Sequence, residues 1–166
     1  SFCIKNNTPI VSGTTGWLNK INEIKKMCNQ NNGTFFYAEN FSLSMNIFIK
    51  TIQHLTPLIN LNEYNVNIEE IHHKTKKDKP SGTALMIKEN IYNESKEKPK
   101  ISISSKRLGE IKGEHKVSYK SENDIIEITH KAINRKSFAK GAILAAEFIY
   151  NKKGLFSMED LIKIVK

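Results

Sequence analysis

The first forty residues have the spacing of a strand, a helix and a second strand. The apolar run 9–12 ends at Gly13 and predicts a short buried strand. Residues 34–38 are rich in the aromatic and β-branched types that favour strands. Between them apolar residues recur at helical spacing, and Gly33 predicts the end of that helix. The helical positions are Leu18, Ile21, Ile24 and Cys28. This order is a βαβ unit, so we expect two parallel strands.

A longer helix follows, and after it the spacing changes to that of strands. The apolar positions predict a helix from Ser42 to about Ile59. Its predicted inner positions are Leu43, Ile47, Leu55 and Leu58. From Tyr64 onward apolar and polar residues alternate, which is the period of a half-exposed strand. The alternating segments are 64–68, 101–103, 117–119 and 126–128.

Further helices lie between and after these strands. One is predicted over 81–93, and two more lie on either side of Gly154. Their apolar positions are Phe138, Ala142, Ala145, Ala146 and Ile149 in the first, and Met158, Leu161, Ile162 and Val165 in the second. We therefore expect an α/β protein, in which a parallel βαβ unit precedes an open sheet of the α+β kind.

Composition limits the classes of function. The 166 residues are 39% hydrophobic and 26% charged, as in an ordinary globular protein, and no apolar run approaches the length of about 18 residues of a membrane span. The net charge of +9 could attract nucleic acid, anionic lipid or small anionic substrates. Because the lysines are dispersed and never form a long basic run, we expect no binding of nucleic acid.

Cysteines, histidines and the first residues add three expectations. Cys3 and Cys28 have no paired spacing, which favours reduced thiols in a cytoplasmic protein. The five histidines lack the spacing of a zinc site, so no metal is expected. The chain begins at Ser1 without a signal pattern, which we interpret as an incomplete chain.

The densest group of reactive side chains lies in 69–84. His72 and His73 end a strand, Lys76 follows, and Ser81-Gly82-Thr83 opens a helix. The N–H groups at a helix N-terminus bind anions, and a lysine beside histidines can have its pKa lowered enough to donate a proton. A polar loop with a serine cap and exposed basic residues is the alternative. The convergence of these parts at one strand end favours a ligand site.

Two smaller features follow the first two predicted strands. Gly13-Thr14-Thr15-Gly16 forms a turn between strand and helix, and Ala38-Glu39-Asn40-Phe41-Ser42 follows the second strand. The first turn alone fits a tight connection about as well as a phosphate or nicotinamide site. Neighbouring strand ends with small polar turns suggest a shared crevice.

Six motifs in one order resemble the dihydrodipicolinate reductase family. Segment 70–84 matches E-x-H-H-x-x-K-x-D-x-P-S-G-T-A, and segments 12–17 and 38–42 are similar to the family's GTTG turn and A-x-N-F-S. Later segments resemble R-x-G-x-x-x-G-x-H-x-V, H-x-A and R-x-x-F-A-x-G-A; they are 107–117, 130–132 and 135–142. The similarity runs in register from about Pro9 to the C-terminus.

The resemblance implies an oxidoreductase of diaminopimelate and lysine biosynthesis. Such enzymes reduce 4-hydroxy-tetrahydrodipicolinate with NADH or NADPH, and they combine a Rossmann-type nucleotide domain with a mixed-sheet domain that builds a homotetramer. By this resemblance 1–41 and 135–166 belong to the nucleotide domain, and 42–134 to the domain for substrate binding and tetramerisation. The Gly-rich turn that opens such a nucleotide domain has no match here, so we expect its first part to be missing.

The resemblance also implies roles for individual residues. His72 and Lys76 would be the acid/base pair, and the dicarboxylate substrate would be held by His73, Ser81, Gly82 and Thr83. The nicotinamide would lie along Gly13, Thr14, Thr15, Ala38, Asn40 and Phe41. The alternative functions are an inactive binding or oligomerising module derived from such a reductase and, on charge alone, a nucleic-acid-binding domain.

Overall fold

The computed structural model describes residues 1–164. It contains two compact units. The first is Ser1–Asn46 with the segment from Lys136 onward, and the second is Ile47–Arg135. The helices are α1 (Phe2–Lys5), α2 (Ile21–Asn31), α3 (Leu43–Leu55), α4 (Gly82–Glu94), α5 (Lys136–Phe148) and α6 (Met158–Ile162). The strands are β1 (Ile10–Ser12), β2 (Thr34–Tyr37), β3 (Asn65–His72), β4 (Ile101–Arg107), β5 (Glu114–Lys120), β6 (Ile125–Lys131) and β7 (Gly154–Ser157).

The first unit contains a parallel sheet in the order β1-β2-β7. The predicted βαβ unit is confirmed, because α2 connects the parallel strands β1 and β2. Strand β7 and helix α1 were not predicted. β7 has four residues, all half-buried, and Gly154, interpreted from sequence as a break between helices, is its first residue. The core of this sheet is formed by Phe36, Ala38, Ala145, Ile149, Met158 and Leu161.

The end of α2 differs from the prediction in one residue. Asn32, not Gly33, takes the left-handed conformation that ends the helix, with φ of 51°. Gly33 is needed for packing instead. A β-carbon there would lie 2.6 Å from Cγ2 of the fully buried Ile4, closer than two carbon atoms can approach.

Helix α3 buries a different face from the one predicted. Ile47 and Leu58 were expected inside, but they are 48% and 81% exposed. Both lie on the same side as the exposed Thr51 and His54, while the buried stripe is Met45, Phe48, Ile49 and Ile52. The α-helix also ends earlier, at Leu55, and continues as a 3-10 turn over Thr56–Leu58. Pro57 explains this end, because a proline lacks the N–H that an α-helix needs.

The second unit is built on a mixed four-stranded sheet in the order β4-β3-β5-β6. β3 pairs with β4 in parallel and with β5 antiparallel, and β6 pairs antiparallel with β5 at the edge. The predicted α/β class, with one parallel and one mixed sheet, is confirmed. On β3 every second residue is buried, and the period that buries Val66 and Ile68 also buries Glu70 and His72. The helix predicted over 81–93 is α4.

The predicted C-terminal helices are present as α5 and α6. Val165, predicted as an inner position of the last helix, lies outside the described residues. Within residues 1–164, none of the helices combines the length and the hydropathy needed to cross a membrane.

Candidate active site

Two ionisable side chains lie on the buried face of β3 at its carboxyl end. Glu70 is fully buried and His72 is 8% exposed. Because side chains alternate along a strand, residues 70 and 72 point to the same face and can bond to each other. The Glu70 carboxylate contacts His72 Nδ1 directly. The strand therefore ends in a carboxylate–imidazole pair below the surface.

Strands β4 and β5 add two more groups beside this pair. Arg107 is the partner of His72 in the β3–β4 register, and His115 is the partner of Glu70 in the β3–β5 register. Arg107 Nη2 donates to Glu70 Oε1 at 2.8 Å, and the His115 ring packs edge-on against that of His72, with 5.1 Å between centroids. A β-carbon at Gly113 would lie 3.1 Å from His72 Nε2. The absence of a side chain there leaves room beside this nitrogen.

The two histidines of this cluster favour the neutral state. Burial lowers the pKa of His72; Glu70 opposes this, and the charges of Lys76 and Arg107 add to it. His115 is 3% exposed, and burial together with His72 lowers its pKa from 6.5 to about 3. Both imidazoles are therefore uncharged at neutral pH.

The depressed pKa of His115 predicts acid sensitivity. His115 is protonated near pH 6.5 in the unfolded chain but only near pH 3 in the folded protein. Protonation therefore favours the unfolded state as the pH falls, and the stability of the folded protein is greatest above pH 6.5. Between pH 7.5 and pH 5 the loss should be about 2 kcal/mol. Urea unfolding at both pH values should show a smaller loss for His115→Gln. His54→Gln, at an exposed position of α3, should retain the parent's pH dependence, and an unchanged loss in His115→Gln would contradict the assignment.

The loop after β3 carries Lys76 and Asp78 as an ion pair. Lys76 Nζ lies 2.7 Å from Asp78 Oδ1, and the lysine side chain is 24% exposed. The hydrogen bond from Lys76 lowers the pKa of the Asp78 carboxyl, and the backbone N–H of Gly82 contributes in the same direction. Asp78 therefore ties the lysine to the first residue of α4.

The N-terminus of α4 is capped by Ser81 and open above Gly82. Ser81 is buried; its hydroxyl accepts from Ala84 N–H at 3.2 Å and lies 3.4 Å from His115 Nε2. A β-carbon at Gly82 would meet nothing within 4 Å. Thr83 is half-buried, and the half-buried His73 bonds through Nδ1 to Thr75 Oγ1 at 2.7 Å. His72, through Glu70, and Lys76, through Asp78, are thus linked to one helix start, where free N–H groups attract an anion, whereas His73 bonds within its own loop.

The predicted nicotinamide residues lie in the other unit. Gly13, Thr14 and Thr15 are exposed directly after β1. A β-carbon at Gly13 would lie 2.9 Å from the Phe41 ring, and Ala38 N–H donates to Ser12 O at 3.1 Å, so the two turns meet. Asn40 uses its side-chain oxygen to accept from Ser42 N–H at 2.9 Å. An exposed glycine turn at the carboxyl end of a parallel strand fits a nucleotide.

Comparison with known proteins identifies the family. The model of the family "Dihydrodipicolinate reductase, C-terminus" matches residues 44–162. The 4-hydroxy-tetrahydrodipicolinate reductase of Christiangramia forsetii is 40% identical over 96% of this chain and 72% of its own length. The chain belongs to the dihydrodipicolinate reductase family. The family resemblance predicted from the motifs is therefore confirmed.

Other members of the reductase family agree. The 4-hydroxy-tetrahydrodipicolinate reductase of Wigglesworthia glossinidia brevipalpis is 43% identical over 98% of this chain, and the chain spans 61% of its length. The solved dihydrodipicolinate reductase from Paenisporosarcina sp. TG-14, described as dipicolinate-bound, superposes with a TM-score of 0.74 at 24% identity. That superposition covers 98% of this chain and 67% of the other, and it supports the fold.

Three of the residues that form the buried group around His72 were given no role in the sequence analysis. Glu70, Arg107 and His115 appear in the family motifs, but only the structure brings them to His72. The signal for Glu70 was present, because its position on β3 continues the buried period of Val66 and Ile68. Arg107 and His115 depend on the pairing of distant strands.

The same cluster has the composition of a metal site. Ligand atoms of Glu70, His72 and His115 lie within 4.8 Å of one another. However, one Glu70 oxygen contacts His72 Nδ1, and the other accepts from Arg107 and from Ser81 N–H. A guanidinium 2.8 Å from the carboxylate opposes a second cation at the same place. We therefore interpret the group as a hydrogen-bond network.

Proposed function

We propose that the protein reduces 4-hydroxy-tetrahydrodipicolinate to tetrahydrodipicolinate with NADH or NADPH, in diaminopimelate and lysine biosynthesis. Membership of the reductase family and the names of the relatives support this. The observation that carries it is the arrangement around α4. An imidazole, an ammonium group and an open helix N-terminus occur within residues 72–83.

In this proposal Lys76 and His72 are the acid/base pair. The nucleotide, when bound, would supply a hydride to the substrate after the 4-hydroxyl group has left as water, and the hydride would leave negative charge on the ring. The Lys76 ammonium neutralises this charge by donating a proton. His72 is neutral, and its Nδ1 faces a carboxylate, so Nε2 carries the lone pair and can accept a proton or a hydrogen bond.

The remaining predicted residues bind the two ligands. We assign the carboxylates of the substrate to His73 and to the N–H groups of Gly82 and Thr83, and Ser81 holds this helix start through its buried cap. The nicotinamide lies along Gly13, Thr14 and Thr15 on one turn, and along Ala38, Asn40 and Phe41 on the next. The first unit, residues 1–46 with 136 onward, would then bind mainly the nucleotide. The second unit, residues 47–135, would bind mainly the substrate.

We place the protein in the cytoplasm. Cys3 and Cys28 are both free thiols, and burial raises the pKa of Cys28, which favours the protonated, unreactive form. A biosynthetic reductase that uses a nicotinamide nucleotide fits that compartment.

Binding of a planar dicarboxylate tests the substrate site. Titration calorimetry should detect pyridine-2,6-dicarboxylate binding to the chain, a ligand named for the Paenisporosarcina reductase. Thr83→Val removes one hydroxyl at the helix start and should weaken binding about tenfold. Thr129→Val, the same exchange at an exposed position of β6, is the matched control. Equal affinity in both variants would show that the Thr83 hydroxyl does not bind the ligand, and would leave only its backbone N–H at the site.

A turnover assay separates the reductase from the inactive module. Consumption of NADH or NADPH that depends on 4-hydroxy-tetrahydrodipicolinate is expected of the reductase. Dicarboxylate binding without any turnover would instead favour a binding module.

We also propose that the chain forms a homotetramer through the mixed sheet. The edge strand β6 exposes Ile125 and Ile126, an unfavourable arrangement unless another surface covers them. Light scattering at micromolar concentration should give four times the mass of the chain. Ile126→Lys should lower that mass, whereas Ile143→Lys, at an exposed position of α5, should not. A monomeric parent chain would contradict the proposal.

A further inference from the structure

The Glu70 carboxylate is in an unusual place for a charge. It lies on the face of β3 that buries Val66 and Ile68, and none of its surface is exposed. Removing a carboxylate from water costs several kcal/mol unless other groups compensate. A charge at this position therefore requires specific partners, and those partners indicate what it does.

Each oxygen of Glu70 has its own partners. Oε1 accepts from Arg107 Nη2 at 2.8 Å and from Ser81 N–H at 3.3 Å, while Oε2 contacts His72 Nδ1. Burial by itself would raise the pKa of the carboxyl, but the hydrogen bond from Arg107 and the proximity of His72 lower it and outweigh burial. Glu70 is thus ionised at neutral pH and can only accept hydrogen bonds.

An ionised Glu70 decides which nitrogen of His72 carries the proton. Because a carboxylate has no hydrogen to donate, Nδ1 must be the protonated nitrogen of the neutral ring. The lone pair is then on Nε2, the atom beside Gly113. Gly113 has φ of 149°, a conformation that other residues rarely adopt, so the space beside Nε2 is maintained by the backbone.

The same carboxylate also connects His72 with the helix that would bind the substrate. Ser81 N–H bonds to Glu70, and the Ser81 hydroxyl caps α4. Arg107 extends the network, because its Nη2 also donates to the backbone carbonyl of Asp78 at 2.5 Å. Asp78 in turn holds Lys76. The buried Glu70 carboxylate therefore connects the His72 imidazole directly with the start of α4, and through Arg107 with the loop that carries Lys76.

We propose that Glu70 is the positioning residue of this site: it fixes His72 with the proton on Nδ1 and the lone pair on Nε2, and it fixes the ring relative to the N-terminus of α4. The proposal deepens the proposed function, on which it rests for the role of His72 in the reaction. Glu70 does not touch the substrate. It acts by leaving a single nitrogen of His72 available and by holding that nitrogen in one place.

A purely structural role is the competing interpretation. In that case Glu70 would only compensate the charge of Arg107, and the protonation of His72 would not depend on it. The two roles differ in what happens to the His72 ring, which nitrogen chemical shifts report directly.

The test is nitrogen NMR of the 166-residue chain labelled with 15N in histidine, followed over pH. In the parent, His72 should show a protonated Nδ1 and an unprotonated Nε2 at neutral pH. In Glu70→Gln the amide can accept or donate, so the Nε2–H tautomer should appear. Loss of the negative charge should also move the His72 titration to lower pH by about one unit or more, with Lys76, Arg107 and His115 still facing the ring.

Glu69→Gln is the matched control. Glu69 is the preceding residue on the opposite face of β3 and pairs with Lys106 at 2.8 Å, so its exchange should leave both His72 signals unchanged. An unchanged His72 in a folded Glu70→Gln variant would overturn the proposal. If that variant does not fold, the spectrum of the parent still tests the proposal, because a neutral His72 protonated on Nε2 in the parent would contradict it. None of these outcomes depends on turnover, so failure of the reductase assignment would be seen separately, in the assay.

Discussion

Replacement of Lys76 with alanine, in a version of the protein that binds the nucleotide, should lower kcat by about 10² or more, with little change in the affinity for NADH or NADPH. The Lys76 ammonium group lies 2.7 Å from Asp78, and the backbone N–H of Gly82 at the start of α4 also bonds to Asp78. Charge that develops on the substrate after hydride transfer is neutralised by its proton, and loss of a positioned proton donor costs a factor of about 10² to 10⁴. The turns proposed to bind the nucleotide, after β1 and β2, lie in the other unit, so the affinity for the nucleotide should persist.

Two further variants separate proton donation from charge. Lys76→Arg keeps a positive charge but holds its proton too tightly to donate it, so kcat should remain low. Lys77→Ala, at the next and exposed position, is the matched control and should retain parental kcat. Steady-state kinetics with each nucleotide would show this. Near-normal kcat in Lys76→Ala would remove Lys76 from the mechanism.

Local spacing was sufficient for the elements whose burial repeats regularly. The alternation in β3 and β5 and the helical spacing in α2, α4 and α5 were strong enough to predict each element and the mixed architecture. On β3 and α4 the buried residues follow the predicted period. Agreement is partial for α2 and α5, because Leu18 lies exposed in a 3-10 turn before α2, and Phe138 and Ala146 on α5 are exposed.

The predictions that were missing or wrong concern packing between segments that are distant in the sequence. Strand β7 has only four residues and forms because Thr34 to Tyr37 provide a parallel neighbour more than a hundred residues away. On α3 two apolar stripes compete, and the partners that cover Met45, Phe48, Ile49 and Ile52 decide which one is buried. No window of local sequence contains that information.

The candidate site shows the same limit. The order of His72, Lys76 and Ser81-Gly82-Thr83 predicted that these residues meet at one helix start, and the structure links His72 and Lys76 to that start through Glu70 and Asp78. Their second set of contacts was not predictable, because Arg107 and His115 reach Glu70 and His72 only through the registers of β4 and β5. Strand register follows from the whole sheet, so the network that holds a site is harder to predict than the site itself.

Gly141→Ala should lower the stability of the first unit by about 3 kcal/mol or more, the upper end of overpacking effects. A β-carbon at this position of α5 would lie 1.8 Å from the Phe41 carbonyl oxygen and 2.9 Å from its carbonyl carbon, so backbone would have to move. The better helix propensity of alanine returns only about 1 kcal/mol. Thermal unfolding should therefore shift down by roughly 6 to 12 °C for a chain of this size.

The displaced residue connects this prediction with the proposed nicotinamide site. The Phe41 ring stacks with Phe36 at 6.0 Å and covers Gly13, so movement of its backbone would disturb the turn after β1. In a version of the protein that binds NADH, the affinity for NADH should fall along with stability, whereas binding of pyridine-2,6-dicarboxylate to the other unit should persist. Gly82→Ala, where the added carbon meets nothing within 4 Å, is the control and should leave the melting temperature unchanged or slightly raised. A Gly141→Ala variant that melts with the parent would show that α5 and the Phe41 turn are not packed as described.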